Sequence, residues 1–166
     1  MPTLLSDDAP KCYLAGPITG NECDVQWRLR AAAMLRRQGW GALDPMAGLD
    51  NAQIGDLGLS VGGQPVGADV ARRDIATILR AEAMLIHVAY LPDRPMVGTW
   101  AEMGFAFACG LTIAVCTPFA LIARHPFVLH CADAITDQLD DAVARLVADY
   151  QLIAEMEGAT DGSDSR

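Results

Sequence analysis

The sequence predicts an α/β fold, a flavodoxin-like (Rossmann-like) doubly wound parallel sheet of five strands. Three observations lead there. Short apolar runs such as "KCYLAG", "AMLIHVAY" and "LTIAVC" lack polar alternation, as strands buried on both faces do. Stretches with helical periodicity separate these runs, and such alternation implies parallel strands with helices on both sides of the sheet. The chain has 166 residues, 52% of them hydrophobic, enough for one domain with a substantial core.

The elements follow in order. Residues 11–16 read as a first strand, ended by the Gly/Pro loop "GPITG". A helix is predicted from about Asp24 to Gln38, with Trp27, Ala31, Met34 and Leu35 as its apolar stripe. Arg28, Arg30, Arg36 and Arg37 decorate it, and such a charge run reads as a solvated face. Gly39 ends the helix and "WGALDP" supplies a second strand. Residues 45–68 are glycine-rich and without clear period, and are expected to form a flap that orders over a ligand. A helix over about 69–81 leads to the strand "AMLIHVAY" and the loop "LPDRPMVG". The Glu102 helix and the strand "LTIAVC" come next, "FVLHCA" is read as a short last strand, and a helix runs from about Asp137 to Glu155. Leu139, Val143, Leu146, Val147 and Tyr150 share one face of it. The domain is thus placed at 1–156, and the polar residues 157–166 are expected to be a disordered tail.

In a 2-1-3-4-5 strand order the chain reverses between strands 1 and 3, and ligands bind outside the carboxyl ends of strands at such a point. The loops there are "GPITG" and "LPDRPMVGT", and the second leads directly to Glu102.

Composition removes several function classes. A net charge of −9 offers no broad basic surface for nucleic acid, so small molecules are the expected partners. "MPTLLSDDAPK" has neither the basic start nor the apolar core of a secretory signal. Five cysteines without a CxxC read as reduced thiols of a cytoplasmic protein. The three histidines show no ligand spacing, so no metal or other cofactor is expected. Residues 104–123 carry no charge over a membrane-spanning length. Gly110 and Pro118 interrupt that run, and its second half turns β-branched, so a buried helix feeding a buried strand explains it better and no membrane association is expected.

Glu102 stands at the head of that uncharged run. A helix beginning near Thr99 would put it in the first turn, where the helix dipole favours the ionised form. A partly desolvated carboxylate at a ligand crevice is a candidate nucleophile. The same spacing also fits a capping box, with Thr99 as N-cap and Glu102 three residues on. A second carboxylate, Asp74, shares a helix face with Ile78 and Glu82 by i, i+4 spacing, or else is a solvent-facing residue among Arg72, Arg73 and Arg80.

"YLAGP" on a first strand, an aspartate on the helix before the third, and "YLPDRPMVGTWAEMGFAFACG" together resemble the nucleoside 2-deoxyribosyltransferase-like family, over roughly residues 11–117. The sharpest part is G-T-x-x-E-x-G-x-A, met by Gly98, Thr99, Glu102, Gly104 and Ala106. The resemblance implies that Glu102 attacks C1′ of the sugar and forms a glycosyl-enzyme intermediate, the double displacement of retaining glycosidases. It implies that Asp74 protonates the leaving base or supports that step, and that Tyr13 positions Glu102. Gly16, Pro17, Gly98, Thr99, Met96 and Asp93 fall at its substrate-binding positions. Gly16 and Gly20 would let the backbone approach a ligand, or serve only the turn.

The chain also departs from the pattern. Met96 stands where a base-reading aspartate or a phosphate-side serine is found in the family, and Asp93 is the nearest substitute. Family sites are completed by a neighbouring subunit, often by an asparagine, which implies a homo-oligomer of two or more copies. Here no asparagine follows Asn51, and His125 and Asp133 are the available stand-ins.

The leading expectation is an enzyme that moves a (2-deoxy)ribosyl group between nucleobases. The superfamily also contains N-glycosidases that hydrolyse nucleoside 5′-monophosphates, which is the first alternative. The second is a non-catalytic nucleotide-binding module, suggested by Met96 and the missing asparagine.

Overall fold

In a computed structural model the described residues are 6, 8–17, 26–47, 60–61, 64–91 and 96–161. The order is β1 (Lys11–Ala15), α1 (Gln26–Arg37), β2 (Gly41–Leu43), β3 (Ser60–Val61), β4 (Gln64–Pro65), α2 (Val66–Ile78), β5 (Ala83–His87), α3 (Val97–Ala108), β6 (Thr112–Cys116), α4 (Ala120–Ala123), α5 (Pro126–Cys131), β7 (Ala134–Thr136) and α6 (Leu139–Asp161). The main sheet runs β2-β1-β5-β6-β7 with every neighbouring pair parallel. The chain therefore reverses direction across the sheet between β1 and β5, as the alternation of strands and helices predicts.

Burial on both faces explains the unbroken apolar strands. Cys12, Leu14, Ala83, Leu85 and Ala114 pack with Leu35 of α1 and with Val143 and Leu146 of α6. Tyr13, Met84, Ile86, Ile113 and Val115 pack with Ile78 of α2 and with Met103 and Ala106 of α3. Gly39 and Gly110, with φ of 82° and 77°, follow α1 and α3 and take the left-handed conformation that ends a helix. The uncharged run divides at Gly110 into α3 and β6, and among the described residues no helix is long and apolar enough to cross a membrane.

Several elements differ from expectation. "FVLHCA" is not a strand. Pro126 opens α5 with a fixed φ, and the His125 side chain accepts a hydrogen bond from Phe127 N, so the local signals that start a helix prevail. The last strand is Ala134–Thr136, set in register by Asp133, whose N–H donates to Ile113 O and whose carboxylate accepts from Ile113 N. His125 and Asp133 are thus each tied to a local backbone group.

The segment 45–68 is not structureless throughout. β3 and β4 pair antiparallel, and α2 begins at Val66 rather than 69. α2 also stops at Ile78, where Arg80 N and Ala81 N turn back onto Thr77 O and Ile78 O. Glu82 consequently leaves the helix face proposed for it and accepts from Lys11 N at the start of β1. Residues 48–59 and 62–63, which make up most of the expected flap, lie outside the described residues. At the other end α6 continues to Asp161, through five of the residues read as tail, while 162–166 lie outside the described residues.

Candidate active site

The site is built where β1, α1, α2 and α3 meet. Tyr13 lies on β1 and is fully buried. Its hydroxyl donates to Glu102 Oε1 at 3.1 Å. A phenol beneath the sheet needs a polar partner, and a carboxylate carried by the neighbouring helix supplies it.

Glu102 is not a capping residue. α3 begins at Val97 with Met96 as N-cap and without a side-chain cap, so Thr99 is already inside the helix and Glu102 falls in its second turn. Thr99 is buried, at 7% exposure. The capping-box reading is therefore ruled out, and the dipole is not the dominant influence on Glu102. Its pKa is pushed up to about 7, first by burial and then by the negative charge of Asp74. The Tyr13 hydrogen bond and the positive charge of Arg28 oppose that rise.

Asp74 is buried, at 8% exposure, and is not one of a solvated row of charges. Arg73 donates to its Oδ1 from Nε at 3.2 Å and from Nη2 at 3.1 Å. Its pKa is nevertheless raised, because burial outweighs the two nearby guanidinium groups, Arg73 and Arg28. Tyr13 is raised as well, by burial and then by Glu102 and Asp74, so its hydroxyl stays a donor at any ordinary pH. Two carboxylates with raised pKa values and a neutral phenol thus occupy one small region.

The other expected positions divide. A Cβ added at Gly16 would lie 2.6 Å from His87 O and 3.1 Å from the Trp27 ring. Close chain packing by itself thus requires glycine there. Pro17 beside it is buried. Gly98 is exposed and an added Cβ would meet nothing within 4 Å, so no neighbour in the chain demands it. Met96 is partly buried and packs against the Tyr13 side of the core. Asp93 and Gly20 lie outside the described residues. Among the described residues no group of three or more His, Cys, Asp or Glu is placed to hold a metal ion.

One residue of the region escapes the sequence reading. Arg28 is 2% exposed, unlike Arg30, Arg36 and Arg37, which lie on the solvent side of α1. Its Nη1 donates to Leu14 O and to Asp44 Oδ1 at 3.2 Å, and its Nη2 to Gly16 O at 3.4 Å. The guanidinium also lies 4.6 Å from the Trp27 ring centre. The signal was present. Arg28 and Leu35 are seven residues apart, about two turns, so they share one side of the helix, the buried one.

Residues 12–146 match a family model described as nucleoside 2-deoxyribosyltransferase. Among solved structures, a 2-deoxyribosyltransferase from Bacillus psychrosaccharolyticus is 20% identical with a TM-score of 0.59, covering 82% of this chain and 95% of that one. A 2-desoxiribosyltransferase from Leishmania mexicana is 16% identical with a TM-score of 0.61, covering 84% and 97%. A conserved protein from Enterococcus faecalis V583 is 12% identical with a TM-score of 0.58, covering 83% and 97%. At these identities the likeness concerns the fold. A search of curated proteins finds no match.

Proposed function

We propose that this chain, which belongs to the nucleoside 2-deoxyribosyltransferase family, moves a (2-deoxy)ribosyl group between nucleobases through a glycosyl-Glu102 intermediate. The observation that carries the reading is the Tyr13–Glu102 hydrogen bond, with Asp74 near enough for its charge to act on Glu102. Tyr13 occupies Oε1, which leaves Oε2 of the ionised carboxylate to bond to C1′. As that bond forms, the C1′–N bond breaks and its electron pair goes to the base. Asp74, whose raised pKa keeps a proton within reach, protonates the departing nitrogen or supports its protonation. The nitrogen of an incoming base then attacks C1′, gives up its proton to the Asp74 carboxylate left by the first step, and releases Glu102 as a carboxylate. A carboxylate suits both steps because the transition state carries positive charge near C1′.

Family sites shared between subunits make a homo-oligomer the expected form. The test is a chromatographic assay of 2′-deoxynucleosides and their 5′-monophosphates, each with and without a free acceptor base, on wild type and Glu102→Ala. A new nucleoside made only with acceptor, and lost in the variant, is the expected result. Free base released only from monophosphates would make the chain a nucleotide N-glycosidase instead. Undiminished turnover by Glu102→Ala would overturn the assignment of the nucleophile, and binding without turnover would favour a binding module.

A further inference from the structure

A buried guanidinium is costly unless its charge and its N–H groups are matched. Arg28 is matched in an unusual way. Its partners Leu14 O and Gly16 O lie at the end of β1 and in the loop that follows it, and Asp44 lies in the loop after β2. Asp44 also accepts from Met46 N with the same oxygen, so it is itself fixed. One side chain thus joins the two loops that leave the carboxyl edge of the sheet next to the site. No apolar residue could do this, and lysine lacks the planar fork.

We propose that Arg28 is a positioning residue of this site. It pins the loops after β1 and β2 to each other and is a fixed positive charge beside Glu102, with Asp44 as its partial counter-charge, while Asp74 has Arg73 as its own partner. The inference rests on reading Glu102 and Asp74 as the reacting carboxylates.

The surroundings leave few competitors for that role. Glu102 faces Tyr13 from β1, Asp74 with its partner Arg73 from α2, and Arg28 from α1. β5 and β6 pack toward α3 with Met84, Ile86, Ile113 and Val115, which carry no charge. α5 offers His130, which lies against Phe107 more than a helical turn beyond Glu102. Arg28 acts in one direction on all three site groups, favouring the anionic form of Glu102, Asp74 and Tyr13.

The experiment is a carboxyl ¹³C NMR titration of the ligand-free protein, with the Glu102 signal identified by its absence in Glu102→Gln. Arg28→Met removes the positive charge, and the Glu102 midpoint is expected to move to higher pH. Asp44→Asn removes the counter-charge while keeping an acceptor oxygen, and the midpoint is expected to move to lower pH. Arg28→Lys keeps the charge and should leave the midpoint near that of wild type. Because it loses the fork that joins the loops, its kcat/KM should fall by roughly tenfold to a hundredfold. A purely structural arginine would not produce opposite shifts in Arg28→Met and Asp44→Asn. Shifts of the same sign, or none in either variant, would overturn the proposal. If Arg28→Met does not fold, Asp44→Asn decides alone, a downward shift supporting the proposal and an unmoved midpoint overturning it. The titration needs no turnover, so it remains decisive if the proposed reaction fails, and the assay above remains decisive if the titration fails.

Discussion

Cys12 and Tyr13 are consecutive residues of β1, both fully buried, and they belong to unlike halves of the molecule. Cys12, with Leu14, faces α1 and α6 through Leu35, Val143 and Leu146. Tyr13 faces α2 and α3, where the apolar packing is broken by Glu102 and Asp74. Both side chains are held in their neutral forms. For the Cys12 thiol the main cause is burial, whereas for the Tyr13 phenol two carboxylates add to it. The two-residue period of a strand thus sorts neighbours between a face that contributes mainly packing and a face that carries charge. Substitutions of apolar residues on the first face should change stability and leave pH dependence alone, while substitutions of Glu102 and Tyr13 on the second should change pH dependence.

The largest effect should come from the charged face. Glu102→Ala is expected to lower turnover on the order of a thousandfold or more, with circular dichroism showing the fold retained. Leu14→Ala on the opposite face should cost about 2–5 kcal/mol in urea denaturation, because the cavity it leaves is walled by the sheet and α1. Its pH–activity profile should coincide with that of wild type. A shifted profile would mean that the two faces communicate and that their separation is only geometric.

Much of this division was legible in the sequence. The apolar runs gave β1, β5 and β6, their alternation with helices gave the parallel order of the main sheet, and Glu102 after the loop that follows β5 pointed to the candidate site. Three features were hidden for distinct reasons. The six residues of α5 are too short a window to show a period, and their content is strand-like. Only Pro126 and the capping His125 decide for helix. The start of α3 was misjudged because Thr99 resembles a cap, whereas the chain begins the helix at Val97 with no side-chain cap at all. Arg28 was grouped with three exposed arginines nearby, although its alignment with Leu35 places it on the buried side. Counting charges along a helix obscured what counting by face would have shown.

The comparison can also be tested through stability alone. The Glu102 pKa is raised from 4.5 to about 7 in the fold. A raised carboxylate contributes stability that is fully present below the unfolded value and is lost as pH rises through the folded one. Wild type should therefore lose stability between about pH 4.5 and pH 7 through this group. Glu102→Gln has no such proton to lose. It should match wild type near pH 4 and exceed it by about 1–3 kcal/mol at pH 8. Thermal unfolding at the two pH values measures the difference. A gain that does not depend on pH would assign it to packing and remove the electrostatic distinction between the faces at this position.

The smallest expected effect is the most discriminating. Tyr13→Phe keeps the ring, and with it the packing against Met84 and Ile86, and deletes one hydrogen bond to Glu102. The stability change should be about 0.5–1.5 kcal/mol or less. That bond favours the ionised carboxylate, so without it the Glu102 pKa rises further. The acidic limb of kcat/KM should accordingly move to higher pH. The loss of activity should be roughly twofold to tenfold near neutrality and should shrink as pH rises and Glu102 ionises regardless. A uniform loss at every pH would mean that the hydroxyl orients the carboxylate without tuning it. An unchanged profile at full activity would make Tyr13 a packing residue like Cys12, and the charged face would then reduce to the carboxylates of α2 and α3 with the arginines beside them.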